Sequence, residues 1–309
     1  MRFGLNTPAA AGIQERAAAF MAGRTNRYEG VLFLATQPQP FSLPRFLLVI
    51  LLQFAGLLLV LRFLVPTVWA RQVAAGPGSI ALVFLASHLV TCFFEWFFHR
   101  YLLHSVTIGW LQGLAHSHRT HHSLTPIQLT RDEAGPGRIV LNRYPIVDEE
   151  QLENAVFPSH ALLSFWLVFT PLIVGGQLLF PHAPVLIGGY AAVTWAMISY
   201  EIFHATEHLP YEWWARATEH PRFCWAWRRL YGFHHFHHAN VGSNEAISGF
   251  FGLPIADWVF RTYHQPAELL LQGRIATAKD FQVHAPWSFV VAWDRWARKR
   301  EAELRAKRA

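Results

Sequence analysis

An all-α fold that crosses a membrane several times is what this sequence predicts, and three observations carry the prediction. Hydrophobic residues make up 52% of the 309 residues and charged residues only 15%, a balance too apolar for a soluble domain of this size. The apolar residues gather in runs of roughly 20, the length that crosses a bilayer as helix. Between the runs the chain is rich in histidine. Most of its 18 histidines fall into four short groups at, or just beyond, the ends of apolar runs.

The chain divides into an N-terminal cytosolic segment (1–44), a membrane domain (45–265) and a basic cytosolic tail (266–309) whose charge run reads as solvated. No short apolar core with a small-residue cleavage site opens the chain, so no signal peptide is expected. The first span is 45–65 (RFLLVILLQFAGLLLVLRFLV). A short connection, 66–78, holds a single Arg71, and the second span, 79–98, runs directly into the first histidine group. Residues 123–158 are too charged to cross lipid and too rich in Pro and Gly for one helix, and read as a cap or lid. Spans three and four, 160–180 and 184–203, are joined by the uncharged Pro181-His-Ala-Pro184. The segments 209–231 and 250–263 mix aromatic and polar residues without a long apolar core, and are expected to lie along the interface as amphipathic helix.

Charge orients this arrangement. The two short loops hold one basic residue between them, while the N-terminus, the histidine-bearing segments and the tail RKREAELRAKRA hold nearly all the others. By the excess of basic residues on the inner side, the histidine face and both termini are expected to be cytoplasmic, in a bacterial inner membrane or the endoplasmic reticulum. The net charge of +6 therefore reflects topology. The basic residues are not interleaved with a nucleic-acid motif, so no nucleic-acid partner is expected. Two cysteines, Cys92 and Cys224, are too few for an iron–sulfur cluster or a cysteine-based zinc site.

The histidine groups read as metal ligands. They are His99/His104, His118/His121/His122, His204/His208 and His234/His237/His238. Residues three and four apart share a helix face, so each triplet can converge on one region and His204/His208 can chelate together. His99 and His104, five apart, lie about 140° round an ideal helix, so either they straddle two metals or the helix distorts at its end. Ten imidazoles exceed what one ion holds. Two ions with four or five nitrogen ligands each is the economical reading, and imidazole suits iron, zinc, copper or nickel. Glu95, Glu201 and Glu207 lie within a turn of box histidines and are expected to orient ring N–H groups. His116 and His235 adjoin boxes without fitting their spacing and are weaker candidates for the same role. His88, His160, His182, His264 and His284 stand alone and read as packing or interfacial residues.

These motifs resemble those of the fatty acid hydroxylase/sterol desaturase superfamily of membrane di-iron enzymes, most closely the fatty acid 2-hydroxylases. The pattern H-x4-H, H-x2-H-H, H-x3-H, H-x2-H-H is met position by position, and EWFFHRYLLH, Val156-Phe-Pro158 and SYEIFHATEH also look like the family, over roughly residues 92–265. The resemblance implies four transmembrane helices and a cytosolic cap holding two iron ions, with zinc able to replace iron in recombinant material. It also implies O2-dependent hydroxylation of an unactivated C–H bond of a lipid or fatty acyl chain. No haem-binding module precedes Arg45, so electrons are expected from a separate cytochrome b5-, ferredoxin- or rubredoxin-like donor with its reductase, docking on a basic surface that includes Arg222, Arg228 and Arg229. A membrane desaturase or a sterol or carotenoid oxidase is the nearest rival. A metal transporter is the more distant one, because transport sites sit near the bilayer midplane on broken helices, whereas these boxes lie at span ends and in loops.

Overall fold

A computed structural model describes residues 42–129, 139–266, 280 and 282–307. The N-terminal segment before residue 42 and most of 267–281 lie outside the described residues. Four helices are long and apolar enough to cross a membrane: α1 (Leu43–Leu64), α3 (Gly76–Phe98, prolonged to Leu103), α6 (Ala161–Leu179) and α7 (Val185–Glu207). Their ends lie within a few residues of the spans read from the sequence.

The breaks between them have local causes. Val65 precedes Pro66, whose ring disfavours helical backbone at the residue before it. Val65 accordingly leaves the helix at φ −130°, ψ 57°. The connection after it is a correction to the sequence reading, because Pro66–Ala74 is itself a helix, α2. Its buried Gln72 donates to Gln177 Oε1 at 2.6 Å and to the Ala183 carbonyl at 3.3 Å, and accepts from Ile187 N. That polar clasp ties α2 to the α6–α7 turn at the end of the bundle remote from the histidines. Gly76, at φ +81°, then starts α3 in a conformation that costs any residue with a Cβ.

Packing ranks the helices. Only 6% of the most apolar window of α1 is buried, against 61% for α7, so α7 is the central helix and α1 presents its leucines outward, as a lipid-facing helix does. Phe46 and Ile50 of α1, Leu162, Trp166, Phe169 and Ile173 of α6, and Tyr190, Val193 and Met197 of α7 form the main apolar core. The α3–α7 contact is the closest, and Gly188 permits it: a Cβ there would lie 2.7 Å from Val83 Cγ1.

The remaining elements gather at the histidine end. They are α4 (Gln112–Leu124), the antiparallel strands β1 (Ile127–Leu129) and β2 (Ile139–Asn142), and the short helix α5 (Glu149–Ala155). α8 (Tyr211–Thr218), α9 (Cys224–Ala239), α10 (Ile255–Phe260) and α11 (Ser288–Ala306) follow. Among its described residues, the insertion after the second box is thus an antiparallel strand pair plus a capped helix. Asp148 accepts from Gln151 N at 2.8 Å, while Gln151 returns its side-chain oxygen to the Asp148 and Val147 amides. Two further expectations change. Residues 250–263 form a tight turn and one short helix instead of a long amphipathic one. The basic tail, read as solvated, folds over 288–306 into α11 with Val290 and Ala297 buried.

Candidate metal centre

The ten box histidines come together as two sets of five. His99, His104, His118, His122 and His237 each offer a ring nitrogen, all within 4.8 Å of one another, and His121, His204, His208, His234 and His238 form the second such set. The second set is wholly buried, whereas His104 and His122 of the first are half-buried.

Helix geometry explains the sorting. The His99–His104 spacing is resolved by distortion: His99–Leu103 is a π-helical turn, closed by the His104 amide on the His99 carbonyl at 3.0 Å. A π turn takes five residues where an α turn takes four, so both rings reach the same set. The triplets do not each converge on one place, which corrects the expectation. On α4, His122 lies about 40° to one side of His118 and His121 about 60° to the other. His118 and His122 therefore share a set while His121 reaches across, and on α9 His237 crosses over in the same way from His234 and His238.

The hydrogen bonds fix which nitrogens face inward. His99 Nδ1 donates to the Glu245 carbonyl at 2.7 Å, and His237 Nδ1 to that of Ser243 at 2.7 Å. In the second set His208 Nδ1 donates to the Tyr144 carbonyl at 2.7 Å and His238 Nδ1 to that of Thr125 at 3.0 Å. A neutral imidazole whose Nδ1 carries the proton presents a lone pair at Nε2. Yet the Nε2 atoms crowd together: His99–His118 at 2.9 Å, His104–His237 at 3.0 Å, His208–His234 at 3.1 Å and His238–His234 at 3.1 Å. His234 can donate to only one of its two acceptor neighbours. Lone pairs converging in a closed space fit a cation, and a donor set of five neutral imidazoles suits iron, zinc, copper or nickel.

Burial keeps the rings neutral. It pushes His104, His118, His121, His122, His234, His237 and His238 well below the ordinary imidazole value, and neighbouring imidazoles push them further. His208 falls to about 3 from the same burial, partly opposed by its bond to Tyr144.

Of the three carboxylates expected to orient the rings, one is placed for it. Glu207 is fully buried, and its Oε2 lies 3.8 Å from His234 Nδ1. Glu95 instead accepts from Ser248 N, Ser248 Oγ and Gly249 N, and Glu201 from Phe157 N, so each of these holds a loop and neither lies against a box histidine. His116 is exposed and takes no part. His235 is buried against Tyr144 and Tyr231, with ring centroids 4.9 and 5.0 Å away, and packs behind the second set.

Several supports were not legible as such. Glu245 gives its carbonyl to His99 and its carboxylate to Arg100 at 2.8 Å, while Asp257 accepts from the Glu245 and Ala246 amides. Asn244, at φ 57°, bridges the Phe233 and His264 backbones. Arg100 also forms a two-pronged pair with Asp294 of α11 at 2.8 and 2.7 Å, and Arg119 joins Glu301 to the His104 carbonyl. The tail helix is therefore bound to residues next to His99, His104 and His118.

A narrow apolar cleft of about 60 Å³ runs between α3, α6 and α7 and ends at His99; Phe94, Phe98, Phe165, Ala196 and Met197 are among its walls. A second small cavity shares Leu103, Phe157 and Tyr200 with it and reaches His118. Both open onto the first histidine set. Comparisons with protein-family models, curated proteins and solved structures find no match.

Proposed function

We propose that this chain is a multi-pass membrane oxygenase that hydroxylates an unactivated C–H bond of a lipid or fatty acyl chain, with a metal ion at each histidine set. The observation that carries the reading is the junction of an apolar cleft, walled by three helices long enough to cross a bilayer, with one of two five-imidazole sets. The box pattern's resemblance to the fatty acid hydroxylase/sterol desaturase superfamily supports it, and points to iron as the working metal.

The residues divide the labour. His99, His104, His118, His122 and His237 would hold one ion, and His121, His204, His208, His234 and His238 the other. Iron held there would supply the reduction of O2 and the oxidation of a C–H bond. The chain's own part is to bind, aim and keep out water. The Glu245, Ser243, Tyr144 and Thr125 carbonyls hold the rings in one tautomer, which keeps Nε2 as the ligand atom. The cleft takes the acyl chain edge-on from the bilayer, and the Leu103–Phe157–Tyr200 collar between the two cavities sets which methylene stands before His99 and His118. Because these residues lie at the ends of the spans, the oxidised carbon is close to the chain's polar end. The distribution of Arg and Lys favours a cytoplasmic histidine face, where an external electron donor reaches the half-buried His104 and His122.

Growth of cells expressing the protein under 18O2, followed by lipid mass spectrometry, tests the reaction. Acyl species carrying one 18O, absent in cells expressing His118→Ala, are expected. Species two hydrogens lighter with no added oxygen would transfer the protein to the desaturases.

A further inference from the structure

A cavity of about 320 Å³ is lined by none of the ten box histidines. It lies between α9, the end of α7 and the turn before α10, on a different set of walls from the acyl cleft. Phe203, Trp225, Phe251, Trp258 and Tyr263 are among its aromatic walls, and Arg229 is the one cation among its lining residues. We infer that this cavity is a binding site for an anionic phospholipid of the surrounding bilayer, separate from the reacting acyl chain.

Three features select that occupant. First, the cavity joins an apolar wall from the spanning region to a cation outside it. Phe251 packs against His88 of α3 and Trp195 of α7, with centroids 4.6 and 5.8 Å away, within the spanning helices. Arg229 belongs to α9 outside them. An apolar tail against that wall and a phosphate against that cation match an amphiphile lying in one leaflet. Second, Arg229 is exposed and has no carboxylate partner among the described residues; its guanidinium lies 5.7 Å from the Trp225 ring centroid. A weakly hydrated planar cation on an aromatic face is well suited to phosphate oxygens. Third, the rim is apolar and exposed: Phe223, Trp225, Leu253 and Trp258 are 53%, 60%, 49% and 46% accessible. Aromatic side chains in such a rim are those that settle at the headgroup level.

Occupancy has a structural consequence. Ala246, Ile247 and Phe251–Pro254 form one wall, and this wall continues into the Glu245 carbonyl that fixes His99 and the Ser248–Gly249 amides held by Glu95. A lipid filling the cavity therefore buttresses the loop that orients one ligand of the first set.

The test uses the full-length protein, metal-loaded, in nanodiscs containing a trace of phosphatidylglycerol with a photoreactive acyl chain. Labelling is expected to concentrate in peptides from 223–233 and 246–263. Unlabelled phosphatidylglycerol should displace it and equal phosphatidylcholine should not. Arg229→Gln, an exposed change that leaves the fold intact, should weaken this displacement by about fivefold, the upper end of what one exposed ion pair is worth. Labelling spread evenly over all span peptides, or displaced equally by both lipids, would overturn the proposal. So would an Arg229→Gln protein that labels normally but accepts electrons more slowly from an acidic carrier protein, which would assign Arg229 to donor docking. Neither result bears on the oxygenase reading, which the 18O2 measurement tests separately.

Discussion

A histidine can present one nitrogen to an ion when its other nitrogen is held. At His99, His208, His237 and His238 a backbone carbonyl takes the Nδ1 proton; at His234 the Glu207 carboxylate lies 3.8 Å from Nδ1, beyond hydrogen-bond reach. Losing such a partner typically weakens metal binding by about 10–100-fold. Glu207 stands beyond hydrogen-bond distance of His234, so Glu207→Ala should lower metal affinity at the second set by about tenfold, the lower end of that range, measured by competition with a chelator, while the first set keeps its ion. Buried neutral imidazoles also make the metal-free protein sensitive to acid. His208 and His235 fall to about 3 from 6.5 through burial, so at pH 7.5 they are neutral whether the chain is folded or unfolded and cost nothing. Below 6.5 the unfolded chain binds protons that the folded chain refuses. Stability is then lost between about 6.5 and 3, at about 1.4 kcal/mol per histidine for each pH unit. Burial raises the carboxyls of Glu245 and Asp257, which opposes part of this loss, but the lowered rings outnumber them. Thermal melts of chelator-treated protein should therefore shift down from pH 7 to pH 5, and a melting temperature that rises over that interval would contradict the burial of these rings.

At the scale of elements, the spans were legible and the devices that brace the site were not. Runs of roughly 20 apolar residues announce α1, α3, α6 and α7, because only length and apolarity are needed to cross lipid. α2 was missed because PTVWARQVA is short and flanked by proline, and what holds it is tertiary: Gln72 on the α6–α7 turn. The charges of α11 read as solvated, since sequence shows the charges and not their partners. Its attachment is testable. Asp294→Ala removes the two-pronged partner of Arg100, which keeps its pair with Glu245, a loss of about 2 kcal/mol, so the melting temperature should drop measurably, while an unchanged melt would detach α11 from the fold. The apolar cleft at His99 is an inter-helix feature of the same kind. Ala196→Phe adds a ring to its wall and should abolish hydroxylation of long acyl chains while leaving the metal content unchanged, which lipid mass spectrometry and metal analysis together would show.

For the whole molecule, the box spacings named all ten converging histidines, but the partition between the sets needed the third dimension. His99 and His104 share a set only because the end of α3 loosens into a π turn, and each triplet sends its middle member across to the other set. The carbonyl supports were invisible for a simpler reason: every residue carries a carbonyl, so no side chain marks Ser243 or Tyr144 as the one that accepts. The central claim is that there are two separate five-imidazole sites, and metal analysis of the purified protein with its His237→Ala and His208→Ala variants tests it most directly. Close to two ions per chain in the parent protein and close to one in each variant is the expected result. One ion in the parent, or full metal content in both variants, would contradict the two-site centre.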